Sequence, residues 1–231
     1  MTMDKQVETE LKLQLAPENW PALVAAPLVR DRVKPGSEEL LQLISTYYDT
    51  KDWALRRAGM AYRVRQTGAA AFEATVKMDK GVVRDGLSER KEITVPLTDA
   101  RPVVREFTAA GLDLAKLVQA ASLQPLFTVT VARQVKLLQL DRETVAELAL
   151  DRGEVRAGQK TAPIAELELE LKAGSLKTLL TYAVALAAQF QLAAGLQSKY
   201  EQGLQLLGEP VRNRKPAQPA EPALQKLLAA L

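Results

Sequence analysis

The sequence predicts an α+β protein built on about eight antiparallel strands, closed or nearly closed into a β-barrel with flanking helices. Three observations carry this. Stretch after stretch alternates apolar with polar residues at period two, as half-buried strands do. Helical spacing is confined to a few segments, too few to supply the crossovers of a parallel βαβ sheet. On several of the alternating stretches the polar face is charged rather than merely polar, and the charges are sorted by sign.

The first strand is expected at residues 5–15, with Val7, Thr9, Leu11, Leu13 and Leu15 on one face and Glu8, Glu10, Lys12 and Gln14 on the other. A rise of roughly 3.3 Å per residue sets Glu8 and Glu10 about 6.6 Å apart, close enough to serve one divalent cation or two neighbouring ones. A short helix with Pro21 near its start follows at 17–26. Residues 41–49 alternate into Tyr47-Tyr48-Asp49-Thr50, a strand entering a turn, of whose two tyrosines at most one faces inward. Residues 51–58 read as one or two helical turns stopped by Gly59.

Strand 60–66 sets Met60, Tyr62 and Val64 against Ala61, Arg63 and Arg65. Strand 71–78 sets Phe72, Ala74, Val76 and Met78 against Glu73, Thr75 and Lys77. A loop at 80–86 leads into strand 87–95, with Arg90, Glu92 and Thr94 on its polar face. Residues 102–123 carry helical spacing broken at Gly111 into two short helices. Strands return at 126–140 and 145–150, the latter leading into Asp151 and a turn at Gly153. The acidic strand 164–171 reads Glu166, Glu168, Glu170 against Leu167, Leu169, Leu171. Residues 175–189 form the best helix, capped by Ser175. Residues 197–201, including Lys199, read as a short polar-faced segment.

From Glu209 the composition changes. Pro210, Pro216, Pro219 and Pro222 mark a linker expected to be extended and to make few contacts. An amphipathic helix begins at Leu224. Too short to stand alone, it must pack on the barrel, a second copy or another domain. The expected organisation is one domain over 1–208 and a tail over 209–231 that reads as a boundary between domains.

Composition narrows the chemistry. The 231 residues are 47% hydrophobic and 26% charged, as in a soluble globular protein. The net charge is +3, and the tail, with four basic residues against two acidic, supplies +2 of it. A body near neutrality is poor footing for nucleic-acid binding despite a pI near 9.0. With neither cysteine nor histidine, thiolate and histidine metal sites and Ser-His-Asp or Cys-His nucleophile systems are excluded. No signal peptide or membrane-spanning stretch is seen, and the cytoplasm is the expected compartment.

What remains is carboxylates, lysines and arginines, sorted by sign: Glu8 and Glu10; Arg63 and Arg65; Glu166, Glu168 and Glu170. Solvated faces intersperse signs. Facing rows of carboxylates repel unless cations lie between them. A barrel interior lined this way would hold a polyanion through Arg and Lys and its metal through Glu.

In that order the residues resemble the CYTH domains, or triphosphate tunnel metalloenzymes. The resemblance rests on the E-x-E-x-K of Glu8 to Lys12, Tyr47-Tyr48-Asp49-Thr50, Leu55-Arg56 and the R-x-R of Arg63 and Arg65. It continues through Leu150-Asp151-Arg152-Gly153-Glu154, the acidic run at Glu166, and Ser198-Lys199. It covers roughly residues 7–208, and is greatest to the bacterial inorganic triphosphatases, in which a helical CHAD domain often follows. The resemblance implies an eight-stranded tunnel binding a triphosphate group with Mg²⁺ or Mn²⁺. Glu8, Glu10, Asp151, Glu166, Glu168 and Glu170 would be the metal-binding set. Lys12, Arg63, Arg65, Lys77, Arg90, Arg133 and Lys199 would hold phosphates, all but Arg90 also counting as catalytic.

Two placements need the structure. Arg133 shares strand phase with Val129, Val131 and Val135, so facing inward requires a bulge or an apolar face that changes character. Glu154 is out of phase with Asp151. Hydrolysis of inorganic triphosphate is the expected activity. The alternatives are thiamine triphosphate or nucleoside triphosphate hydrolysis, or a non-catalytic polyphosphate-binding module.

Overall fold

The computed structural model describes residues 5–78, 83–84, 86–194, 197–211 and 217–231. Eight long strands form the body: β1 (Lys5–Gln14), β2 (Glu39–Asp49), β3 (Met60–Gln66), β4 (Phe72–Met78), β5 (Leu87–Leu97), β6 (Gln124–Gln139), β7 (Val145–Ala157) and β8 (Lys160–Ala173). Neighbours run β1–β8–β7–β6–β2–β3–β4–β5, all antiparallel, and β5 pairs back with β1 from Leu11↔Leu87 to Lys5↔Ile93. The sheet is therefore a closed barrel without free edges along most of its length.

The alternation of each strand now has a physical meaning. The apolar faces point outward and are covered by helices. Leu11 and Leu13 of β1, Leu148 and Leu150 of β7, and Leu167 and Leu169 of β8 meet Leu179, Leu180, Ala183 and Leu186 of α5 (Leu176–Phe190). Tyr62, Val64, Val76 and Ile93 meet Leu55, Phe107 and Leu114 on the other side of the barrel. The charged faces line the interior. At one end this interior turns apolar: Leu43, Tyr47, Phe127, Val129, Val131, Val155 and Ile164 pack together inside the wall.

The helices are α1 (Trp20–Ala25), α2 (Pro27–Arg30), α3 (Ala54–Arg57), α4 (Glu106–Ala109), α5, α6 (Lys199–Leu206) and α7 (Ala220–Ala229). The expected helix at 17–26 is a 3-10 turn and two short helices divided at Pro27. The second helix expected within 102–123 is two 3-10 turns.

Several local readings change. Gly153 is not a turn: β7 runs unbroken through it, paired with Val131. A Cβ there would sit 1.9 Å from the Thr130 carbonyl oxygen, so the glycine permits a close approach of β6. Pro163 lies inside β8, tolerated because the ladder to β1 stops at Leu167. The segment at 197–201 opens α6, whose Ser198 and Glu201 form a capping box. The tail helix begins at Ala220, and Leu224 and Leu227 are buried in the α5 core. The linker makes contacts: Gln218–Pro219 pairs with Ala193–Ala194 beside β1, and Arg56 holds Glu209. The expected loop at 80–86 lies largely outside the described residues, as do Arg212, Arg214 and Lys215.

Candidate functional site

The interior encloses a cavity of about 750 Å³ lined by Glu8, Glu10, Lys12, Arg63, Arg65, Lys77, Arg90, Arg133, Glu168, Glu170 and Lys199, with Tyr47, Glu73 and Glu92 among them. A second cavity, about 610 Å³, continues past Arg65, Glu73 and Arg133 toward Lys34, Leu41, Val135 and Glu147. Those three residues stand in the walls of both cavities.

Arg133 reaches the interior without a bulge between Val129 and Val135; the register shift of β6 against β2 lies earlier, at Leu126. Val129, Val131 and Val135 also face inward, and the strand leaves the apolar plug just as it enters the charged zone. Tyr47 is the inward tyrosine, stacked on Phe127 with centroids 4.8 Å apart, whereas Tyr48 packs outside against Tyr62. Glu154 points away and pairs with Arg156 on the surface.

The charged lining divides in two. In the first group α6 delivers Lys199 to the inner faces of β7 and β8. Its close approach depends on Gly203, where a Cβ would lie 2.2 Å from the Phe127 ring. Lys199 Nζ lies 2.8 Å from Asp151, 2.5 Å from Glu166 and 3.0 Å from Glu168. Arg133 forks onto Asp151 with two bonds of 2.7 Å and reaches Glu168 at 2.5 Å. Lys12 donates to Glu168 and lies 3.4 Å from Glu10, and Gln202 donates to Glu166 at 2.8 Å.

All of these charges are buried except Arg133, which is half-buried. Burial alone would push Glu168 and Asp151 up and Lys12 and Lys199 down. The neighbouring opposite charges win, holding both carboxylates low and both lysines high. Asp151, Glu166 and Glu168 offer oxygens within 4.8 Å of one another, so this buried acidic triad is able to hold a metal ion.

The second group is looser. Lys77 bridges Glu8 and Glu92 at 2.7 Å each. Burial raises Glu92, but Lys77 and Arg63 outweigh it and bring the carboxyl to about 2. Arg63 reaches Glu92 at 3.5 Å, while Arg63 Nε and Arg90 Nε are buried without a hydrogen-bond acceptor among the described residues. Arg65 donates from Nε to Ser45 at 3.0 Å, and its guanidinium is 3.9 Å from Glu73. Burial, with Arg63 and Arg133 close by, lowers Arg65 to about 10. An arginine held this way gains most from an anion.

Between the groups Glu10 faces Glu170 across the β1–β8 ladder. Burial first, with Glu8 and Glu147 nearby, raises the Glu170 carboxyl despite its 2.9 Å bond to Lys172. The six carboxylates expected to share metal therefore fall into Asp151, Glu166 and Glu168 on one side, and Glu8, Glu10 and Glu170 on the other. Glu147, Glu73 and Tyr47 also line the interior without having been singled out. Strand phase with Asp151 and with Lys77 was the available signal for the two glutamates.

A model of the CYTH domain matches residues 6–203. An inorganic triphosphatase of Haemophilus influenzae is 29% identical over 201 residues, 87% of this chain and 55% of that protein. The chain thus spans about half the length of this relative. A structure from Hippeastrum, described as a candidate adenylyl cyclase with a dominant triphosphatase activity, superposes with a TM-score of 0.61. It is 15% identical, over 89% of this chain and 98% of that one. A candidate adenylate cyclase from Bacillus halodurans gives a TM-score of 0.56 at 20% identity, over 86% and 97% of the two chains.

Proposed function

The chain belongs to the CYTH domain family, and from that premise we propose that it hydrolyses inorganic triphosphate to diphosphate and phosphate inside its charged tunnel. The observation that carries this reading is the under-compensated arginine wall. Arg65, flanked by Arg63 and Arg133, faces the cavity with no carboxylate closer than 3.9 Å among its ion pairs. A linear triphosphate, with about four or five negative charges at neutral pH, matches such a wall. Arg63, Arg65, Arg90 and Arg133 would fork onto phosphate oxygens, while Lys12, Lys77 and Lys199 act as point charges.

The donor set fits a hard divalent cation, Mg²⁺ or Mn²⁺. All ligands are carboxylate oxygens, and Glu10 and Glu170 stand opposed as a like-charged pair with Glu8 and Glu168 beside them. Asp151 and Glu166 complete the acidic set from the α6 side. When bound, such an ion supplies Lewis-acid polarisation and an acidified water. The protein's own residues do the rest. The arginines fix the chain so that a water oxygen bonds to the terminal phosphorus as the bridging P–O bond opposite it breaks. They also neutralise the charge that builds on the departing diphosphate. No protein nucleophile is needed, in keeping with a chain that lacks His and Cys.

Inorganic triphosphate is favoured over thiamine or nucleoside triphosphates because the cavity's aromatic rings are spent on each other. Tyr47 stacks on Phe127 and both make tilted contacts with Tyr200, at 4.8–6.0 Å, so among the described residues these rings are engaged with one another. The retained carboxylates disfavour a mere polyphosphate-binding module, which cations alone would serve. We place the catalytic domain at 1–208, in the cytoplasm. Residues 209–231 form an appendage through which a helical CHAD-like domain would be joined. Phosphate release from triphosphate, thiamine triphosphate, ATP and long-chain polyphosphate, with and without Mg²⁺ or Mn²⁺, tests the proposal. Metal-dependent release greatest on triphosphate is expected; binding without release overturns it.

A further inference from the structure

The mouth of the larger cavity carries two arginines that the triphosphate reading leaves unused. Both belong to α3, which the Tyr47-Tyr48-Asp49-Thr50 stretch fixes in place. The buried Asp49 carboxylate accepts the backbone N–H groups of Leu55 and Arg56, each at 2.9 Å, and Thr50 Oγ1 accepts that of Ala54 at 2.9 Å. Arg57 turns to Asp52 at 2.7 Å. Arg56 reaches the chain just beyond α6. Its Nη1 donates to Glu209 at 2.6 Å, its Nη2 donates to the Pro210 carbonyl, and its guanidinium lies 5.2 Å from the Trp53 ring centroid. Trp53 itself adopts a left-handed backbone conformation, φ 61°, which its surroundings must hold in place. Arg56, Arg57, Pro210 and Val211 line the same cavity as Arg63 and Arg65.

The mouth and the depth of the cavity therefore differ in kind. In the depth Arg65 lacks a close carboxylate. At the mouth each arginine already has one. A phosphate chain longer than the deep site that extends toward this mouth meets Arg56 already neutralised and the Glu209 carboxylate, which repels the incoming charge. Both side chains are partly buried, Arg56 24% and Glu209 31% exposed, so salt screens this pair less than a surface pair.

We infer that the Arg56–Glu209 clasp is a chain-length filter that favours triphosphate over longer linear polyphosphates by keeping Arg56 paired and unavailable to the fourth and later phosphates. The inference rests on the reading that the deep site takes a triphosphate group. Glu209→Gln removes the charge while keeping the size. Steady-state kinetics on triphosphate, tetraphosphate and long-chain polyphosphate then report the filter.

Triphosphate kcat should stay within about twofold. The kcat/KM for the longer chains should rise about tenfold as Arg56 gains a charge-assisted phosphate contact. Adding Arg56→Leu to Glu209→Gln should abolish that gain, and Glu209→Ala should reproduce it. A purely structural clasp would shift all substrates alike. An unchanged ratio of long-chain to triphosphate kcat/KM in both Glu209 variants overturns the filter. Absence of triphosphatase activity in the unmodified protein would instead overturn the proposed function, and would be seen before any variant is made.

Discussion

The two walls of the tunnel use the same residue types to opposite ends. On the α6 side Lys12, Lys199 and Arg133 interlock with Asp151, Glu166 and Glu168; each has two or more opposite charges within 4 Å except Glu166, which has Lys199 and the Gln202 amide. On the β3–β5 side the pairs are fewer and longer: Arg63 reaches Glu92 at 3.5 Å, Arg65 reaches Glu73 at 3.9 Å, and Arg90 Nε has no acceptor among the described residues. Buried charges are tolerable only when compensated, so the first wall balances its own charges as folded, and the second has more to gain from a ligand. Conservation of charge type along a strand thus says little about role. The pairing across strands decides it.

The largest effect should come from breaking the complete wall. Lys199→Met keeps the side chain's length but leaves Asp151, Glu166 and Glu168 short of their shared cation. Removing one partner of a buried cluster costs about 3–5 kcal/mol. Urea denaturation should show a loss of that order, and a midpoint like that of the unmodified protein would mean the cluster is not the tight unit described here.

Next is Glu10→Gln, on the boundary between the walls. Glu10 has one ion pair, Lys12 at 3.4 Å, and Lys12 keeps Glu168 without it. Stability should change little, because the long pair that is lost is offset by relief of the repulsion from Glu170 opposite. Turnover at limiting Mg²⁺ or Mn²⁺ should fall by at least about a hundredfold, because the like-charged pair with Glu170 that fits a cation is gone. A folded variant with normal turnover removes Glu10 and Glu170 from the metal site.

Leu224→Ala tests whether the tail is outside this division altogether. Leu224 is fully buried between α7 and α5. The cavity should cost about 2 kcal/mol, the low end for such a change because a terminal helix is able to shift. The kcat on triphosphate should not move. A stable variant with reduced kcat would join the tail to the site.

How much of this was legible in the sequence depends on where the deciding neighbour lay. β1 was legible because both of its faces speak locally: Leu11 and Leu13 for a helix-covered exterior, Glu8 and Glu10 for the interior. Gly153 was misread as a turn because what demands a glycine there is the backbone of Thr130, twenty-three residues earlier in the chain. Arg133 looked out of phase only on the assumption of a uniformly charged interior. The barrel instead carries an apolar plug at one end, and one strand passes through both zones. The α6 helix had its signal in Ser198-x-x-Glu201, hidden by the helix's shortness. The tail's prolines advertise a linker, while the Leu224 and Leu227 contacts that hold its helix to α5 are set by tertiary packing.

On the under-partnered wall the sharpest probe is Arg65→Lys. It preserves charge and loses the planar fork, so stability should hold while kcat/KM on triphosphate falls by about 1–3 kcal/mol in transition-state terms. An Arg133→Lys variant should lose stability as well as kcat/KM, since Arg133 also bonds Asp151 and Glu168; a loss of kcat/KM alone there would erase the distinction between the walls.

The smallest effect should come from a pair of the same chemistry on the outer surface of the barrel. Glu154 belongs to the same stretch as Asp151, but an offset of three residues along β7 puts the two on opposite faces. Glu154 accepts from Arg156 at 2.5 and 3.1 Å, with the two side chains 42% and 56% exposed. Water screens both charges and holding two long side chains together costs entropy, so such pairs contribute about 0–1 kcal/mol. Glu154→Gln should therefore leave the melting temperature, the triphosphate kcat and the metal requirement where they are. A loss of turnover in this variant would mean that charge outside the wall is felt inside it. The contrast between the two inner walls would then have to be re-read as a property of the barrel's whole field rather than of the pairs within it.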